Sequence, residues 1–389
     1  MYLFFINDKI AHKAKKIQLN YSGGKISMNR IPYSDAELQV IGEYVMPNEP
    51  VIPGRQSPKY NRPVTPKENV ISAWKREGAL WFPGMADMLS LEPRINIDHV
   101  ARAEVRDLGP VHTDEQKGGP DLFGVEWVYV PVVGGSMVKP GAPILEDVND
   151  WPEIIKFPDI DAMDWEDCKK TNAAFNGDGR SLSVTFQNGM FERLISFMDF
   201  ENAIMALIDE DQQDAVHALF DKLADMYIHM ISKYLECFDL DGVIFHDDWG
   251  SQRAPFFSLD TCMEMIVPHI KKIADFCHSK GLWFQQHSCG KNEMLVPAMI
   301  AQGVDMWCPQ AMNDVKMLNE KYGDKIIFGL TPPVLPFDAS QEEIEATAKA
   351  FVADYAPNFQ EKPIIMFDFM CSPTYKNEIY KQSRIALSK

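Results

Sequence analysis

His287-Ser288-Cys289-Gly290 sets an imidazole and a thiol two positions apart, directly after the apolar run Gly281-Leu282-Trp283-Phe284. Along an extended chain, residues i and i+2 project to the same side, so the two side chains can converge on one ion. Histidine nitrogen and cysteine sulfur are both good zinc ligands. Three protein ligands with an open fourth position make a catalytic rather than a structural site. The third ligand must come from elsewhere, with Cys371 the first candidate and Cys308 the second. A lone buried cysteine is ordinarily a small hydrophobe, the reading given to Cys168, Cys237, Cys262 and Cys277.

Other polar residues gather at the ends of β-rich runs. His246-Asp247-Asp248-Trp249-Gly250 ends one, Gln187-Asn188-Gly189 another and Cys308-Pro309-Gln310 a third, while Asp368-Phe369-Met370-Cys371 ends a fourth. Asp247 and Asp248 are the candidate catalytic residues, able to orient or deprotonate a substrate, although adjacent acids also cap loops. Gln187, Asn188, His246 and Gln310 are candidate substrate-binding residues. The aromatic residues Phe186, Trp249, Phe256, Phe257 and Trp283 either line a pocket there or belong to the core.

The elements that must hold these residues are regular from about residue 180 onward. Strand-type composition marks 182–187, 242–247, 282–287, 304–308, 326–331 and 364–369, separated by amphipathic stretches of helical period. Strict alternation of this kind predicts a parallel sheet, and polar residues at its carboxyl ends suit a barrel active site. Two further runs, 79–83 and 125–133, bring the expected strands to eight. The expectation is therefore an α/β chain with a single (β/α)8 TIM-type barrel over 63–389, carrying insertions in its first half. No glycine-rich nucleotide fingerprint follows any strand. Residues 1–62 read as an N-terminal extension, with one short helix over 34–44 and then a proline-rich connector. Thr65-Pro66-Lys67-Glu68 has the threonine cap, proline and glutamate of a helix start, for a helix running to Arg76. The first 27 residues are basic in an otherwise acidic chain, and read either as untranslated leader before Met28 or as a basic arm.

Composition narrows the function. A chain of 389 residues with 46% hydrophobic content can bury a large core. A net charge of −18 argues against nucleic-acid binding and against docking on anionic membranes. The seven cysteines are scattered and odd in number, which fits reduced thiols better than a disulfide framework. No apolar run has membrane-spanning length, and Met1–Ile6 is too short for a signal-peptide core, so a cytoplasmic enzyme is expected.

From about Pro63 to the C-terminus the chain resembles the uroporphyrinogen decarboxylase superfamily. The resemblance is carried by Thr65-Pro66-Lys67-Glu68-Asn69-Val70, Phe191-Glu192-Arg193-Leu194, Asp247-Asp248-Trp249-Gly250-Ser251-Gln252, His287-Ser288-Cys289-Gly290 and Gly303-Val304-Asp305. Within it, the arginine-rich N-terminal motif, the tyrosine and the C-terminal Gly-His-Gly of the true decarboxylases are missing; Trp81-Phe82-Pro83-Gly84-Met85-Ala86-Asp87, Phe197 and the region of Cys371 stand there instead. The chain is more similar to the zinc-dependent corrinoid (methylcobamide) methyltransferases, whose His-x-Cys-Gly and distant C-terminal cysteine map onto His287, Cys289 and Cys371. It departs from their Gly-Cys-Gly at Met370-Cys371-Ser372.

The resemblance implies a (β/α)8 barrel that exchanges a methyl group between a small substrate, a methoxylated or methylated compound or a thiol, and a corrinoid protein. Zinc would make a bound thiol a thiolate, or act as a Lewis acid on an ether oxygen. No Asp-x-His-x-x-Gly is found, so the corrinoid would arrive on a separate protein docking over the barrel mouth. A tetrapyrrole decarboxylase is the alternative, and a non-catalytic zinc-containing barrel that binds a small molecule the second alternative.

Overall fold

The computed structural model describes residues 31–44, 57–107, 117–132 and 134–388. The basic stretch 1–27 and the connector's Pro47, Pro50 and Pro53 lie outside them. A seven-stranded sheet organises the rest. Its strands are β1 (Met88–Leu91), β2 (Ser181–Phe186), β3 (Gly242–His246), β4 (Trp283–His287), β5 (Met306–Trp307), β6 (Ile327–Leu330) and β7 (Ile364–Met366). Their spatial order is β7-β6-β5-β4-β3-β2-β1, and every neighbouring pair is parallel. Parallel neighbours require crossovers. Helices supply them, including Met190–Ala206 and Gln213–Cys237 between β2 and β3, and Leu259–Met265 and Val267–Ser279 between β3 and β4.

Alternation along the strands separates two layers. Val243, Phe245, Phe284, Trp307 and Phe328 face outward into the main core shared with the helices. The intervening residues Ile244, Trp283, Met306, Ile327 and Ile365 form a separate apolar plug, which Ile71 and Trp74 of helix Pro66–Trp74 join. Gly242 makes room for that plug, because a Cβ there would overlap the Trp283 indole. Inward positions continue to His246 on β3 and through Gln285 to His287 on β4, so the concave face turns polar towards the carboxyl ends.

The sheet corrects the expected closed (β/α)8 TIM barrel. It curls into an open half-barrel, with a 10 Å gap between its edge strands. Neither of the two extra runs supplies an eighth strand. Glu126–Val130 pairs instead with Gly118–Pro120 and Gly135–Val138 in a separate antiparallel sheet. The run 79–83 bends at Leu80 and Trp81, and side chains occupy its backbone. The Leu80 amide donates to Asn69 Oδ1, Asn69 Nδ2 donates to the Trp81 carbonyl, and the Phe82 amide donates to Ser383 Oγ. Pro83 has no N–H to give. What remains is a single bridge, Gly84 to Met366, with the Met366 amide donating to the Pro83 carbonyl at 2.7 Å.

The N-terminal extension also differs from expectation. A 3-10 turn, Asp35–Leu38, and a strand, Val40–Tyr44, replace the short helix, and the strand pairs antiparallel with Ser57–Tyr60. Buried Glu37 straps this segment to the C-terminal helix Pro373–Leu387, accepting from Arg384 Nε at 2.8 Å and from Tyr380 Oη at 2.6 Å. The helix start at Thr65 is as expected, with a complete capping box and Pro66 first in a helix that ends at Trp74.

A second set of buried charges braces the wall beside the sheet. Arg193, on helix Met190–Ala206, is fully buried between Asp98 and Asp121, donating through Nη2 to the first and through Nη1 to the second at 2.6 Å. Asp121 also accepts from Trp127 Nε1 at 3.0 Å, which ties the antiparallel sheet to the same helix. Removing one member of a buried ionic set leaves the others uncompensated. Arg193→Met should therefore lower stability by about 3–5 kcal/mol, seen as a large fall in the urea unfolding midpoint.

Candidate metal centre and adjoining cavity

Register brings the two histidines together. His246 and His287 are direct partners in the β3–β4 ladder, and their rings stack with centroids 4.2 Å apart at 21°. Two residues beyond each stand Asp248 and Cys289, and the Cys289 amide donates to Asp248 Oδ1 at 2.6 Å. His287 Nε2 lies 3.3 Å from Cys289 Sγ and 3.8 Å from Asp248 Oδ1. One ligand atom from each of Asp248, His287 and Cys289 falls within 4.8 Å of the others.

These donors fit a borderline divalent ion. Nitrogen, thiolate sulfur and carboxylate oxygen are the ligands zinc takes, and three of them leave a coordination position for substrate. Burial pushes the Cys289 thiol up to about 12, with Asp248 adding to the shift. Burial also lowers the His287 pKa, against the opposing pull of Asp248. Without an ion the pair is thus a neutral thiol and a neutral imidazole. A divalent cation would displace the thiol proton, and metal binding at such a site releases it.

The loops that carry the donors are closely interlocked. The Trp249 amide donates to Ser288 Oγ at 3.0 Å, and Asn292 Nδ2 donates to Ser288 Oγ and to the Cys289 carbonyl. Gln310 turns Nε2 to Cys289 Sγ at 3.4 Å while its Oε1 accepts from the Gly290 amide at 2.8 Å. Gly290 has φ 101°, and a Cβ on it would overlap the backbone of Gly250.

The structure distributes the remaining sequence candidates. His246 and Gln310 belong to the cluster, and Asp248 enters it as a third donor. Asp247 turns away and is fully buried. Its Oδ1 accepts from the Glu192 amide at 2.9 Å and its Oδ2 from Trp249 Nε1 at 2.8 Å. It therefore caps helix Met190–Ala206, whose own N-cap, Gly189, has no side chain to do so. Burial raises the Asp247 carboxyl to about 6 against those hydrogen bonds. Gln187 and Asn188 are buried, and Asn188 Oδ1 accepts from Arg102 Nη1 at 3.0 Å. Cys371 is not brought to the His287/Cys289 pair. It packs with Phe82, Tyr375 and Ile379 in the cluster beside the open sheet edge. Cys308 faces Gly329 on β6, and burial holds its thiol at about 12. Phe186, Trp249 and Trp283 are core; Phe256 lines a cavity.

That cavity, of about 720 Å³, opens beside Asp248. Its walls include Arg102, Trp127, Glu192, Asp199, Phe200 and Phe256. The Arg102 guanidinium lies 4.9 Å from the Trp127 ring centre and donates to Glu192 Oε1 at 2.8 Å. Burial raises the Glu192 carboxyl to about 7, Arg102 opposing and Asp248 and Asp247 adding to the shift. Reasoning from sequence missed Arg102 and Trp127. Each sits in a segment without a regular period, 84–180. Glu192 had one signal, a charged pair Glu192-Arg193 inside an otherwise apolar helix start.

Comparison with known proteins agrees with this architecture. Residues 178–366 match the family model of uroporphyrinogen decarboxylase. No curated protein matches the chain. Among solved structures, a methyltransferase from Methanosarcina mazei is similar with a TM-score of 0.53 and 14% identity, over 82% of this chain and 98% of that one. A sugar phosphate isomerase/epimerase from Parabacteroides distasonis has a TM-score of 0.29 and 11% identity, over 58% of this chain and 80% of its own. An endo-β-1,4-xylanase from Gloeophyllum trabeum has 0.33 and 11%, over 59% and 82%. The family match covers the stretch from β2 to β7, and the likeness to the methyltransferase is one of fold.

Interlocking of the two loops can be tested at Gly290. Alanine there combines an unfavourable φ with backbone overlap, so Gly290→Ala should cost more than about 1 kcal/mol and loosen the Cys289 loop. The expected readout is a lower unfolding temperature together with faster reaction of Cys289 with an aromatic disulfide reagent.

Proposed function

We propose that this protein is a zinc-dependent methyltransferase that exchanges a methyl group between a small substrate and a corrinoid protein. The observation that carries the reading is the convergence of Asp248, His287 and Cys289 at the carboxyl ends of β3 and β4. Asp248, His287 and Cys289 would hold the ion. Zinc so held supplies a Lewis acid for an ether oxygen, or lowers the pKa of a thiol at its open position. The two anionic ligands, Asp248 and Cys289, balance a divalent charge, so the centre starts neutral. Gln310 holds the Cys289 sulfur through Nε2 and fixes the following turn through Oε1. His246 buttresses the His287 ring from the neighbouring strand.

A corrinoid partner would approach over the same mouth. The loops after β4, β6 and β7 carry exposed apolar side chains, Met294, Val334, Phe337, Phe369 and Met370, an unusual concentration for solvent alone. No helix among the described residues is long and apolar enough to cross a membrane. The decarboxylase reading fares worse on charge. The cavity beside Asp248 offers one guanidinium against four carboxylates, a poor match for a polycarboxylated tetrapyrrole.

Metal analysis tests the reading. We expect one zinc per chain in the purified protein, lost in Cys289→Ser and in His287→Ala and weakened about 10-fold or more in Asp248→Asn. Cys371→Ser should retain it. Methyl transfer to or from a free cobalamin should fall with the zinc content across this series. Full transfer by the zinc-free variants would exclude the mechanism, and loss of zinc in Cys371→Ser would show that the C-terminal cysteine moves in to bind the metal.

A further inference from the structure

The cavity beside Asp248 has a composition that neither the metal centre nor the fold requires. Its charged lining is one cation, Arg102, against four carboxyl groups, Glu192, Asp199, Glu201 and Asp248. Arg102 is already spent on Glu192, Asn188 and the face of Trp127. Even with Asp248 committed to a divalent ion and Glu192 set against Arg102, Asp199 and Glu201 leave the lining acidic. Glu192 is nine-tenths buried, and its Oε2 has no hydrogen-bond partner among the described residues. A buried carboxyl oxygen without a partner is costly, and Glu192 itself stands in the cavity wall.

The aromatic part of the wall points the same way. Trp127, Phe200 and Phe256 line the cavity together, and Phe200 and Phe256 meet edge to face at 4.9 Å. Ring faces attract cations, most strongly where water is excluded, and Trp127 already holds one internally. The helix that carries this wall is bent to present it. Asp199, within Met190–Ala206, has φ 63° and ψ 167°, a conformation that is close to glycine-only, and the break turns Asp199, Phe200 and Glu201 to the cavity rim. Backbone held this far from its ordinary range clusters at ligand sites.

We infer that this cavity is a binding site for a methylated onium cation, a quaternary ammonium or tertiary sulfonium compound, which serves as the methyl donor. The donor role rests on the corrinoid methyl transfer of the reading above and not on zinc activation of an ether or thiol; the binding site rests on neither. Transfer from such a donor balances simply. The C–N or C–S bond breaks with its electron pair going to the departing neutral amine or sulfide, and the electron pair of the reduced, Co(I) corrinoid acceptor forms the new bond to carbon. No proton is consumed. The neutral metal centre does not repel the donor, and the carboxylate wall disfavours an anionic methoxyarene.

Calorimetry on the full chain with three probes tests the site. Choline should bind at least about tenfold more tightly than its uncharged carbon isostere, 3,3-dimethylbutan-1-ol, and 4-methoxybenzoate should bind more weakly than both. Glu201→Gln and Asp199→Gly, the latter compatible with the backbone there, should each weaken choline several-fold and leave the isostere unchanged, which also reports that the pocket is intact. Equal affinity for choline and its isostere, or tighter binding of 4-methoxybenzoate, would overturn the inference. Methyl transfer is scored separately with a cobalamin acceptor. Choline binding without transfer from any donor would remove the methyltransferase reading and keep the site. Transfer from 4-methoxybenzoate without choline binding would do the reverse.

Discussion

The register of the β3–β4 ladder is the constraint on which the candidate site depends. Parallel pairing sets His246 opposite His287, and the period of two along each strand then carries Asp248 and Cys289 to the same side. A slip of one residue would send every one of these side chains to the outer face. The glycines at the ends of the two strands keep the register useful beyond the ladder. Gly250 and Gly290 let the two loops touch backbone to backbone, so Cys289 cannot drift away from Asp248. The apolar plug under the site performs the complementary task, filling the concave face with Trp283, Met306 and Ile327 until only the carboxyl ends remain open to polar residues.

Helix Met190–Ala206 links this centre to the cavity beside it. Its first turn is capped by Asp247, directly after β3, Arg193 enters the buried pair Asp98 and Asp121, and its break at Asp199 forms the rim. One face of the helix is therefore held by charges that water cannot reach, while the other borders an open space. Burial makes those charges strong structural determinants, because each is tolerable only with its partner. It also places Glu192 beside Arg102 with one oxygen satisfied and the other buried without a partner.

Much of the second half of the fold was legible. The six β-rich runs after residue 180 each became a strand at its expected place, the first shifted by one residue and the other five shortened by a residue or more, since apolar runs bounded by glycine, proline and polar residues report a buried parallel strand directly. Thr65-Pro66-Lys67-Glu68 announced its helix because capping is local chemistry. The first half was not legible. Residues 79–83 look like a strand in composition, yet Asn69 and Ser383 take the hydrogen bonds that a ladder would need. Met88–Leu91 is a strand only because β2 lies beside it.

For the site, the sequence by itself determined the pair His287 and Cys289 and its place after a strand, because a separation of two on an extended chain is a local geometric fact. It also marked Asp247 and Asp248 without telling them apart. Only the tertiary structure decided between them: the helix N-terminus claims Asp247, and the neighbouring strand end draws Asp248 to Cys289. It likewise took Cys371 into an apolar cluster, left the sheet open, and gathered Arg102, Trp127 and Glu192 around one cavity. These outcomes turn on competition for hydrogen-bond partners and for buried space between residues tens to hundreds of positions apart, which no local pattern encodes.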